Sequence, residues 1–233
     1  MTVETMDTFT PVELYLLLAP FEVKHIFGIP DKLTYLLKGE DVFAEGFEML
    51  KNKGVLDGSE NLTDGGGFLI DSLVEYYQSK KYVRLNQLMF AFSEKTSNEI
   101  LVMIEIKPQK EYRFERMNKI HALAMMRELF PIISREPGPK ETEFLKEELT
   151  NEERKRAMVF DPEKNFISME FFHLEEKTQE ASNPAFYKQY LSFEMENKLI
   201  MVDVVNEAYY QGSQYALLKL LFDEFAFPYK EDK

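Results

Sequence analysis

The three histidines, His25, His121 and His173, are the natural first candidates for metal binding or proton transfer. None has a second histidine or a carboxylate at the helical spacing of a zinc motif. Only residues distant in sequence could still assemble such a centre. Asp57, Ser59, Asn61 and Thr63 alternate as in a calcium loop. That loop needs glycine at its sixth position and a bidentate Glu at its twelfth, where this chain has Leu62 and Phe68. A solvated turn is the expected outcome. Gly65-Gly66-Gly67 invites a phosphate cradle, but Phe68-Leu69 follows where Lys-Ser/Thr would be needed. Glycine freedom at a helix entry accounts for the run. Glu147-Glu148, Glu152-Glu153 and Glu175-Glu176 are adjacent acidic pairs, whereas a glycosidase needs two carboxylates converging across a cleft. No Gly-x-Ser-x-Gly elbow occurs. No catalytic, cofactor-binding or metal-ligating residue is therefore assigned, and no enzyme is expected.

Two features point to binding instead. Met125-Met126 and the twelve methionines suit either core filling or an adaptable groove, because Met repacks readily. Tyr209-Tyr210 and Phe225-Ala226-Phe227-Pro228-Tyr229 suit either an interface or docking of the last helix on its own core.

The elements that must position these residues are well punctuated. Thr10-Pro11-Val12-Glu13 is a capping box with proline at the first helical position, opening a helix that is apolar almost all round to Ala19. Pro20 ends or kinks it, with a short helical continuation expected over 21–27. A second helix is expected over 42–53, capped by Asp41 and stopped by Gly54. A third, capped by Thr63 or Asp64, carries Leu69, Leu73 and Tyr76. Strands are predicted over 82–92, 100–106 and 112–117, with a tight return at Pro108-Gln109. In the second half, helices are predicted over 120–130, from Pro139 through Glu148, and from the capping box at Thr150 to Met158. Strands follow over 166–174, 190–195 and 199–205, the last two joined over Asn197-Lys198. Gln179–Pro184 reads as a polar loop, and Ser213 caps a final helix followed by Pro228. The predicted fold is α+β, a central, mainly antiparallel sheet flanked by helices. Three helices and three strands occur twice, as one domain over 1–233 with structural halves 1–117 and 118–233.

With 233 residues, 45% hydrophobic and 30% charged, the chain can bury a core without a staple. Cysteine is absent, which removes disulfides, thiolate zinc sites and a cysteine nucleophile, and fits a reducing cytoplasm. The formal charge is −13 and its cations are interspersed with Glu, so no clustered basic surface for nucleic acid is expected. The start, Met1-Thr2-Val3-Glu4-Thr5-Met6-Asp7, lacks the basic and apolar regions of a secretory signal. The longest apolar run, Leu14–Phe21, falls far short of the roughly 20 residues that cross a bilayer.

Pro11-Val12-Glu13-Leu14-Tyr15-Leu16-Leu17, Phe27-Gly28-Ile29-Pro30, Val42–Leu50, Gly54-Val55-Leu56-Asp57 and Leu62-Thr63 occur in that order before Tyr76-Tyr77 and Tyr82-Val83. In this arrangement the first 110 or so residues resemble the EspG-like family of type VII (ESX) secretion-associated chaperones. The resemblance implies a quasi-two-fold protein with a central sheet and helical layers. It also implies a cytoplasmic chaperone or adaptor whose partner is a small helical-hairpin secreted substrate, without cofactor, nucleic acid or membrane insertion. The family binds through its sheet and a helical layer, and no individual partner-binding residue carries over. An immunity-type inhibitor of a secreted toxin is the alternative, followed by an enzyme with a dispersed site.

Overall fold

The computed structural model describes residues 7–39, 41–139, 141, 146–163, 165–174 and 187–227. Glu175-Glu176, the 179–184 loop, Pro228-Tyr229 and the first six residues lie outside them. Among the described residues, seven α-helices accompany ten strands that form an antiparallel sheet, an α+β fold as predicted. No helix among them is long and apolar enough to cross a membrane. The described chain divides into two compact units, residues 7–82, 87–117 and 173–174 in one and 83–86, 118–172 and 187–227 in the other.

The first unit opens with β1 (Thr8–Phe9) and α1 (Pro11–Leu17). Thr10 and Glu13 form the predicted capping box, each side chain accepting the other's backbone N–H. The expected continuation over 21–27 is instead a 3₁₀ turn, Ala19–Phe21, because Glu22 adopts the left-handed conformation (φ 53°) and breaks the helical path. Then come α2 (Lys32–Leu36), α3 (Asp41–Asn52) and α4 (Asp64–Tyr77), with Gly54 left-handed after α3 (φ 71°) and Thr63 capping α4.

The apolar run over 82–92 is two strands rather than one, β2 (Lys81–Leu85) and β3 (Leu88–Phe92). Asn86 stands between them at φ 48°, which asparagine tolerates. After β3 come β4 (Glu99–Lys107) and β5 (Glu111–Asn118), and the strand order of this unit is β1-β5-β4-β3. Ile100 to Ile104 are buried without interruption, the signature of a strand covered on both faces. Leu14, Leu18, Leu73 and Phe90 are buried in this unit, which also holds an aromatic cluster. There Tyr82 stacks on Phe27 at 4.3 Å, Tyr76 meets Phe114 edge-on, and the Tyr76 and Tyr82 hydroxyls donate to the Phe27 and Tyr76 carbonyls.

The second unit contains α5 (Lys119–Leu129), a 3₁₀ turn at Pro131–Ser134, β6 (Lys146–Glu148), α6 (Asn151–Val159) and β7 (Phe166–His173). It continues with β8 (Tyr187–Met195), β9 (Lys198–Asp203), β10 (Ala208–Gly212) and α7 (Gln214–Phe225). Its strand order is β2-β7-β8-β9-β10-β6. The helix expected from Pro139 through Glu148 is not formed at its end. Lys146–Glu148 is a strand, with Glu148 opposite Tyr210 and Lys146 opposite Gly212. Pairing with β10 overrides the helical preference of a Glu/Lys-rich stretch. Residues 140 and 142–145 of that expected helix lie outside the described residues. The turn between β8 and β9 is Glu196-Asn197, one residue before the expected Asn197-Lys198, because Met195 already pairs with Lys198. Beneath α6, Ala157 packs on Phe193, Met195, Ile200 and Val202, while Leu217, Leu221 and Phe225 of α7 are buried.

Candidate functional site

The residues singled out for chemistry do not converge. His25 and His121 are exposed and His173 is half-buried. No group of three or more potential ligands able to hold a metal exists among the described residues. The would-be calcium loop is an Asx turn, since Asp57 Oδ1 accepts from the Ser59 and Asn61 amides at 2.8 and 2.9 Å. Those two N–H groups hold the exposed Asp57 carboxyl below its usual range. Gly65, Gly66 and Gly67 form the first turn of α4, where the Gly66 amide donates to Thr63 Oγ1. Met126 is buried in α5. Tyr209 and Tyr210 are half-buried in β10, beneath Arg154 and Lys146 at 5.0 and 4.3 Å from their rings. Phe225 and Phe227 stack on each other and are buried, so this part of the terminal aromatic run serves the core.

What the first unit does offer is an open, mainly apolar groove of about 550 Å³. Its walls are the first turn of α1 (Thr10, Pro11, Val12), the inner side of α2 (Thr34, Tyr35) with Lys38, and a stripe of α3 (Val42, Glu45, Gly46, Met49). Pro30 and the β4–β5 turn, Pro108-Gln109-Lys110, complete it. Val42, Gly46 and Met49 recur at the spacing that places them on one helical face. Gly46 lets α3 close on α1, because a β-carbon there would come within 2.8 Å of Val12 Cγ1 and 3.1 Å of Leu16 Cδ1. Within the lining Met49 is 44% exposed, and the α2 segment that supplies one wall also carries the exposed Leu33 and Leu37. The groove thus presents a concave apolar surface with a large apolar side chain, Met49, left open to solvent.

Polar contacts hold the walls. The Tyr15 hydroxyl donates to the Pro30 carbonyl at 3.0 Å, and burial pushes its pKa up to about 12. Glu13 is fully buried; its Oε2 accepts from the Thr10 amide and hydroxyl, and its Oε1 from Lys53 Nζ. Lys53 also donates to the Thr8 carbonyl and lies over the Phe9 ring. The base of α1 is thereby tied to the residue that follows α3.

In the second unit, Arg135 and Glu141 form a largely buried ion pair, and Glu141 Oε2 accepts the Gln214 amide at the start of α7. Burial pushes the Glu141 carboxyl up, but Arg135 and the Gln214 amide outweigh it and hold the group below its ordinary value. A carboxylate at a helix N-terminus caps the exposed amide dipoles. Its partners are all internal, which makes it a structural clamp.

The groove was not legible from periodicity. Its α1 and α3 walls and the Pro108-Gln109 return were expected one by one, but the α2 wall, only five residues long, was not. The local signal for α2 is Asp31, whose Oδ1 caps it by accepting the Leu33 amide. No curated protein matches the sequence. Residues 3–233, essentially the whole chain, match the family described as Domain of unknown function (DUF5081), and the chain belongs to that family.

Proposed function

We propose that this protein is a chaperone or adaptor. In this reading it covers an apolar helix of a type VII secretion substrate in the cytoplasm, keeps that substrate soluble, and makes or breaks no covalent bond. The observation that carries the reading is the open apolar groove walled by α1, α2 and α3, with Met49 exposed in its lining and Leu33 and Leu37 exposed on the α2 segment. An amphipathic helix laid in such a groove buries its own apolar stripe and that of the groove together. The resemblance of the first 110 or so residues to EspG-like chaperones supplies the secretion context. Native purification of wild-type protein and of a Leu37→Glu/Met49→Glu variant, with identification of what co-elutes, tests the proposal. Recovery of a small helical secreted protein by wild type alone is expected. Equal recovery by both proteins, or consistent recovery of DNA or a bound metal, would overturn it.

The formal charge of −13 favours a second reading, an immunity protein that neutralises a basic secreted toxin. Co-expression separates the two: an immunity protein rescues cells from a toxin, whereas a chaperone raises the soluble yield of its substrate.

A further inference from the structure

In a chain of formal charge −13, the charged groups lining the groove among the described residues are Lys38, Lys110 and Glu45, a local excess of positive charge. Lys38 and Lys110 make no ion pair among the described residues. Lys38 Nζ lies 4.9 Å from the centre of the Tyr35 ring, held at the groove wall. Among the described residues, the acidic groups close to these lysines in the chain are engaged or belong to α3, and Glu105 Oε1 accepts the Gln109 amide. Asp31 caps α2, Glu111 pairs with Lys107, and Asp41 and Glu45 belong to α3.

We infer that the groove selects an amphipathic helix whose apolar stripe is flanked by carboxylates, which meet Lys38 and Lys110. This rests on the groove being the binding site. The overall charge repels an acidic helix from the rest of the surface, so the two lysines provide discrimination as well as attraction. Each exposed pair changes affinity by a factor of about two to five, so the two together are worth about tenfold. The preference fades as salt shortens the screening length.

The test uses the full chain and two synthetic amphipathic helices with the same leucine stripe, flanked by Glu in one and by Lys in the other. Binding is followed by fluorescence anisotropy with wild type, K38E/K110E and M49E, all three sites being exposed. The Glu-flanked helix should bind K38E/K110E about tenfold more weakly than wild type at low salt, and the Lys-flanked helix should bind it more tightly. If M49E abolishes binding of the Glu-flanked helix but K38E/K110E leaves it unchanged, the charge selection is wrong and the groove stands. If neither helix binds wild type, or binding survives M49E, the groove itself is the wrong site and the selection falls with it.

Discussion

A methyl group added at Gly66 would lie 2.3 Å from the Val55 carbonyl oxygen, whereas one added at Gly67 meets nothing within 4 Å. Both residues are in the first turn of α4, so helix propensity favours alanine at either. Gly66→Ala is expected to destabilise the protein by about 2 kcal/mol, because backbone must move to admit it. Gly67→Ala is expected to stabilise by about 0.5–1 kcal/mol. Urea unfolding of the two variants checks the pair, and equal effects would refute this account of the glycine run. At the α1–α3 tie, Lys53→Met leaves the buried Glu13 carboxylate without its cation. The expected loss is about 3–5 kcal/mol, with partial recovery in the Glu13→Gln/Lys53→Met double variant. Thermal melts of both read this directly. The local half of such arrangements was readable: Thr10 and Glu13 are close in sequence, and their capping box followed from spacing. Lys53 against Glu13, or Gly46 against Val12, required the fold, because no local pattern encodes which distant residue a buried group meets.

Elements with strong caps and long apolar periods were legible in the same way. α3, α4, α6 and α7 begin within a residue or so of where Asp41, Thr63, Thr150 and Ser213 place them, and α5 begins one residue before the expected 120–130. Short elements made by partners were not. β6 exists because β10 offers it a ladder, and the division of 82–92 depends on one left-handed residue, Asn86. The β8–β9 turn shows how turn chemistry fixes register. Glu196 and Asn197 both have positive φ, at 52° and 59°, a conformation that Glu adopts poorly. Replacing them with Asn-Gly is expected to raise stability by about 0.5–1 kcal/mol. The exposed Arg156–Glu196 pair lost in the exchange contributes little. A lower denaturation midpoint for the Asn-Gly variant would contradict the turn assignment.

For the whole molecule, acid is the informative perturbation. Burial pushes Glu75 and Glu141 up, but their arginine partners, Arg116 and Arg135, outweigh it, and both carboxyls lie below their ordinary value of 4.5. A depressed folded-state pKa means the unfolded chain binds protons first. The stability these pairs contribute is therefore complete above 4.5 and is lost as pH falls through the folded-state values. The melting temperature should hold steady on the neutral side and decline on acidification below that point, with a shallower decline in Glu141→Gln. An acid limb of unchanged slope in that variant would remove Glu141 from the account. Fold class was readable at this scale because apolar period and turn chemistry accumulate along the chain. The groove was not, because concavity is a property of how several helices and a turn meet.

The strand order of the first unit is closed by β1, two residues long, and that of the second by β6, whose Lys146, Glu147 and Glu148 are all exposed. A long, greasy margin would recruit any extended segment within reach and grow into filaments. A protein whose proposed trade is handling sticky chains meets such segments constantly, and these two terminators deny them a template. Glu147→Val/Glu148→Val should seed thioflavin-positive aggregates that the unaltered protein does not, most readily when an unfolded apolar chain is added.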